Sequence, residues 1–180
     1  GYDHDGDGFT ELPALRSQSA GMRSYFRTGA YSRITAQYHH IAEYRRGGDQ
    51  IDRPPHEALL AEQTDHAIDG GSLSFDVSSA DLSNRFNAYA SFQNTARRSY
   101  YGAGQDPAAY GKTHDLTVAA GMQYIRNFGR LWFMPAELTV GAEYSYDALE
   151  DTPFGYEQLA TEQTVHVAGV YLQNEWKTRR

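Results

Sequence analysis

From Trp132 to Tyr146 every second residue is apolar or aromatic: Trp132, Met134, Ala136, Leu138, Val140, Ala142, Tyr144 and Tyr146. Between them stand Phe133, Pro135, Glu137, Thr139, Gly141, Glu143 and Ser145. Successive side chains of a strand point to opposite faces, so this segment has one apolar face and one mostly polar face. Strands of globular domains run to about 5–6 residues, and this one is far longer. A chain built of such strands is all-β, and each apolar face must be kept from water.

Six further stretches repeat the pattern. One face carries Ala20, Met22 and Phe26; the next Ile34, Ala36, Tyr38, His40, Ala42 and Tyr44; the next Leu73, Phe75 and Val77. Then come Phe86, Ala88, Ala90 and Phe92; Leu116, Val118, Ala120, Met122 and Tyr124; and finally Ala168, Val170, Leu172 and Trp176. The connections alternate between tight turns, at 28–31, 78–84 and 126–130, and long polar loops, near 45–65, 95–114 and 147–161. This predicts an antiparallel up-and-down meander, compact at one end and elaborated at the other, as in the wall of a transmembrane β-barrel. Phe26, Phe86, Tyr124, Trp132 and Trp176 lie towards the turn ends, and Tyr44, Phe92, Tyr144 and Tyr146 towards the loop ends. The reach from Trp132 to Tyr144, at ~3.3 Å per residue and ~45° tilt, is roughly 28 Å, close to the apolar band of an outer membrane. A soluble sandwich or lipocalin-like barrel with the apolar faces turned inward is the competing architecture, but the many Ala and Gly on those faces would fill a closed core poorly. Seven strands give the first and last no evident partner, and bacterial barrels have even strand numbers, so the chain reads as part of a larger wall.

Composition narrows the chemistry. The formal charge of -7 over 180 residues argues against a nucleic-acid partner. The absence of cysteine removes disulfides, zinc thiolates and catalytic thiols. No run of about 18 apolar residues predicts a spanning helix, which leaves spanning strands untouched. Gly1-Tyr2-Asp3-His4 does not resemble a signal peptide, which predicts a processed sequence or an internal piece.

Asp3, Asp5 and Asp7 alternate ahead of Gly8, with Glu11 as a further oxygen donor. Hard cations want several oxygens around one centre, so these four are candidate calcium ligands. An EF-hand is rejected because Ala14 stands where its bidentate glutamate belongs. A phosphate-binding reading of 102–113 is also rejected, since Asp106 replaces a required glycine and a strand follows. His39 and His40 are strand neighbours, so they face opposite ways and do not chelate one metal together. Pro54-Pro55-His56-Glu57 predicts a short helical turn within a loop. Arg97, Arg98, Tyr100 and Tyr101 are candidate ligand-binding residues, since arginine offers forked donors and tyrosine a stacking face. No nucleophile–base pair or carboxylate dyad is recognisable, and no catalytic residue is expected.

Several strings stand out together. They are the run from Asp3 to Pro13; Glu43-Tyr44-Arg45-Arg46-Gly47-Gly48 with Pro54-Pro55-His56-Glu57; and Ser99-Tyr100-Tyr101-Gly102-Ala103-Gly104-Gln105-Asp106-Pro107. Phe133-Met134-Pro135-Ala136 and Leu172-Gln173-Asn174-Glu175-Trp176 belong to the same picture. In combination these strings resemble TonB-dependent outer-membrane receptors of the Bacteroidetes kind; the resemblance covers essentially the whole chain and implies a mid-barrel segment of a 22-stranded barrel, with its plug domain outside this chain. It further implies energy-coupled import of a scarce nutrient: siderophore-bound iron, haem or cobalamin. The implied partners are the lipid bilayer, the protein's own plug domain, TonB and the nutrient. The implied location is the outer membrane of a Gram-negative bacterium. Arg23, Arg27, Gln37, Glu137 and Glu143 would then line the lumen, and the isolated segment is expected to self-associate. The alternative function is a soluble extracellular calcium-binding β-domain for adhesion or carbohydrate binding, with calcium as its only cofactor.

Overall fold

The structure, a computed structural model, describes residues 9–153 and 160–176, and of residues 9–12 only the backbone. Among these residues seven strands follow one another: β1 (Phe9–Gly29), β2 (Ser32–Asp49), β3 (Leu60–Ser78), β4 (Asn84–Ala103), β5 (Tyr110–Leu131), β6 (Met134–Thr152) and β7 (Thr161–Trp176). They form one antiparallel sheet in chain order, a meander. Among the described residues the only helical element is a single 3-10 turn, Pro55–Glu57, at the place the proline pair predicts.

The register brings the seven apolar alternations onto one side. Phe26 faces Ile34, which faces Phe75, then Ala88, Met122, Ala142 and Val170 in an unbroken row. Two residues on, Ala36, Leu73, Ala90, Ala120, Tyr144 and Ala168 make another. This face is not covered: Val170 is 86% exposed, Leu172 72% and Met122 55%. The chain exposes 12377 Å², against roughly 8,800 Å² for a compact monomer of its mass. The few buried apolar residues, Ala58, Ala61, Tyr100 and Ala109, gather at the loop end, with Ala136 apart from them.

The strands outrun the expected loops. β2 and β3 extend through most of 45–65, β4 and β5 through most of 95–114, leaving connections of 50–59 and 104–109. The third loop near 147–161 likewise shrinks, since β6 continues to Thr152 and β7 begins at Thr161. The reason is that apolar alternation marks where a strand needs a dry face, whereas backbone pairing continues with polar side chains on both sides. The last tight turn also moves, from 126–130 to Trp132–Phe133, because β5 runs on to Leu131 and Trp132 takes φ +61.

Successive turns are staggered. Followed across the register, the turn after β1 lies level with Arg126 of β5, the turn after β3 about three residues beyond, and the turn after β5 about three further. The loops at the other end drift the same way by a similar amount. With ~3.3 Å per residue and ~4.8 Å between strands, turns lying in one plane require strands tilted by roughly 45–50°. Closed barrels tilt their strands by about 35–45°.

Candidate functional site at the loop end of the sheet

Two of the motif strings, 43–57 and 99–107, meet in space. Gly48, at φ +94, presses its backbone against Leu60 and Ala61, an approach that any side chain would block. Asp49 then turns its carboxylate back on the loop's exit, accepting from the Leu59 N–H at 3.3 Å and the Leu60 N–H at 3.1 Å. Between these anchors the 3-10 turn lays Ala58 against Tyr100 and Ala61.

The β4–β5 loop locks onto the same turn. The Gly104 N–H donates to the Leu59 carbonyl at 2.7 Å and the Gln105 amide to the Glu57 carbonyl at 2.9 Å. His56 Nδ1 lies 2.8 Å from the Tyr110 hydroxyl. Tyr100 is fully buried at the centre, edge-on to Tyr110 at 4.9 Å, with its hydroxyl donating to the Asp106 carbonyl at 3.0 Å. Beside it lies Arg46, 2% exposed, whose guanidinium donates to the Gly47 carbonyl and, at 3.3 Å, to the Asp49 carbonyl. Among the described residues its Nε has no hydrogen-bond partner. Two loops that would otherwise move separately are therefore tied into one knot, rigid enough to hold a binding surface in shape.

The four candidate ligand residues lie on β4, split between its faces. Arg97 and Tyr101 share the polar face, where Arg97 donates to the Thr113 hydroxyl at 3.0 Å and the Tyr101 hydroxyl lies 3.2 Å from that of Thr64. Arg98 and Tyr100 point to the other side, and Tyr100 is occupied by the knot. The structural role of Asp49, Ala58, Ala109 and Tyr110 was not visible in the sequence; the one signal for it was a glycine pair, Gly47-Gly48, set just before a Pro-Pro turn. Asp3, Asp5 and Asp7 lie outside the described residues, and of Glu11 only the backbone, in β1, is described. Among the described residues no group of three or more His, Asp or Glu is arranged to hold a metal.

The polar face is cross-linked by side chains. Arg33 pairs with Asp76 at 3.6 Å, and the Asn87 amide donates to the same aspartate at 2.9 Å. Arg85 of β4 reaches Glu137 of β6 at 2.9 Å. Tyr89 lies over Gly121 towards Glu143, its hydroxyl 3.4 Å from that carboxylate. Tyr171 returns the gesture, lying over Gly141 to donate to Gln123 at 3.1 Å. Each ring occupies the space a β-carbon would fill, so these glycines are seats for rings on a polar wall. Comparison with family models, with curated proteins and with solved structures returned no match.

Proposed function

We propose that this sheet is a section of the wall of an outer-membrane receptor barrel, and that the complete barrel imports a scarce nutrient by energy-coupled transport. The resemblance of its motif strings to TonB-dependent receptors favours an iron–siderophore complex, haem or cobalamin as the cargo. The observation that carries the wall reading is the uncovered apolar side running across all seven strands, backed by a polar side held together by its own network. In lipid the first is solvated and the second lines a wet interior. The drift of the turns supports the same reading, because it supplies the tilt a closed barrel requires.

Closure sets a further condition. β1 and β7 are first and last in an alternating sheet of seven, so they run in the same direction. An antiparallel ring therefore needs at least one further strand between them, running the opposite way. The knotted loops at 50–59 and 104–109 would stand outside the cell as a preformed rim, with Arg97 and Tyr101 facing the passage beneath.

The test is to purify the chain with and without detergent and follow its mass by light scattering. The wall reading expects self-association in plain buffer and a discrete particle in dodecyl maltoside. A monodisperse monomer in buffer, strongly stabilised by calcium, would overturn it in favour of a soluble calcium-binding domain.

A further inference from the structure

Beyond the apolar band, on the same side of the sheet, β4 and β5 hold two cations directly opposite each other: Arg98 and Lys112. Like charges in facing positions of a ladder repel. Both are exposed, and neither forms an ion pair among the described residues. They rim a shallow groove of about 420 Å³ floored by Ala67 and Ala96, with His114 beside Lys112. Asp65 stands opposite Arg98, and Glu150 opposite His114. These flanking carboxylates limit the anionic seat to the stretch between the two cations. A second groove of about 470 Å³ lies farther along the same strands, within the apolar band, walled by Leu73 and Phe92.

The spacing of these features along the strands matches half a bilayer. Tyr89 stands midway along the apolar stretch of β4 and pairs with Gly121, one residue from the middle of that of β5; Arg98 and Lys112 each lie nine residues beyond this pair. At ~3.3 Å per residue and ~40–47° tilt, that is a rise of roughly 20–23 Å. Half of a ~40–45 Å bilayer, headgroups included, is about the same. Resting on the wall reading, we propose that Arg98 and Lys112 form a seat for the phosphate of a membrane lipid whose acyl chain lies in the apolar groove below. The phosphate relieves the repulsion between the two cations, and Ala67 and Ala96 leave it room. The occupant is a phosphate-bearing lipid of the leaflet on the loop side, held on the outer surface and apart from the transported nutrient.

The chain in dodecyl maltoside micelles doped with phosphatidylglycerol, or with diacylglycerol of the same acyl composition, tests this by native mass spectrometry. Phosphatidylglycerol should remain bound where diacylglycerol is lost, and R98Q/K112Q should lower its retention roughly tenfold. Arg126→Gln, on the same side but at the turn end, should leave retention unchanged. Equal retention of the two lipids, or no loss in R98Q/K112Q, refutes the seat while leaving the wall reading intact. Displacement of the lipid by millimolar inorganic phosphate refutes the lipid as occupant. If neither lipid is retained and the chain is a monomer without detergent, the wall reading itself has failed.

Discussion

Replacing Gly121 by alanine separates a glycine that seats a ring from one that merely tolerates a strand. A β-carbon at Gly121 would lie 2.7 Å from Tyr89 Cε1, 2.9 Å from Cζ and 3.0 Å from the hydroxyl. Those are ring atoms fixed to one another, so the tyrosine must swing away as a whole. It then gives up its stacking on the β5 backbone and its approach to Glu143. Overpacking of this kind costs about 1–3 kcal/mol. Alanine returns about 0.4–1 kcal/mol by restricting the unfolded chain. The balance is a loss of roughly 1–2 kcal/mol. Gly169 is the control, because it occupies the same row of the same face and a β-carbon there meets nothing within 4 Å among the described residues. Gly169→Ala should be neutral or slightly stabilising. Urea unfolding of the detergent-solubilised chain, followed by tyrosine fluorescence, reads both; the Gly121 variant should lose about 0.5–1 M in midpoint. Equal midpoints for the two variants would refute the ring-seat argument.

Three further outcomes follow from the turn and the knot. Asp81 accepts from the Ser79 hydroxyl at 2.5 Å and from the Ser83 N–H and hydroxyl, which hold its carboxyl down at about 2. A carboxyl lowered on folding adds stability that is in full force above its ordinary value near 3.8 and disappears as pH falls towards 2. The stability gap between the native chain and Asp81→Asn should therefore close between pH 4 and 2, and a gap that persists at pH 2 would contradict it. Tyr100→Ala should cost about 3–5 kcal/mol, and hydrogen exchange should accelerate together at Gly104 and Leu60, one in each loop; acceleration at one alone would show that the loops are not tied. Gly48→Ala should disrupt the same pair of loops, since it requires both a positive φ and room beside Leu60, and an unchanged exchange pattern would argue against the close approach.

The sheet was legible in the sequence because each strand had to declare which face stays dry. The apolar series from Ile34 to Ala42 and from Phe86 to Phe92 fall on one side because a register error of a single residue would send either to the other. What the sequence concealed is where the strands stop. From the row His40, Asp69 and Asn94 onward the same face mixes polar residues with alanines such as Ala42, Ala67 and Ala96, alternation loses its contrast, and Gly47 and Gly102 read as loop although both are paired. The knot was hidden for a different reason. Its members are separated by some fifty residues, and three of them are alanines, whose contribution is to be small where Tyr100 and Arg46 need space. The reciprocal tyrosines were equally invisible, since nothing in Tyr89 alone says that it leans over the neighbouring strand.

Those tyrosines bear on how the sheet would come apart under load. A meander has only nearest-neighbour ladders, so a pull on one edge should strip strands singly, each rupture independent of the next. Tyr89 and Arg85 of β4, however, both fasten to β6, and Tyr171 of β7 fastens to β5. Each tie skips a ladder, so β4 cannot peel from β5 without also straining β6, and β7 cannot peel from β6 without straining β5. Stretched from its first strand, the sheet should yield β1 in a small step and then resist, because the knot also binds the β2–β3 loop to the β4–β5 loop and to Tyr110 of β5, and the remaining strands should release in one larger event.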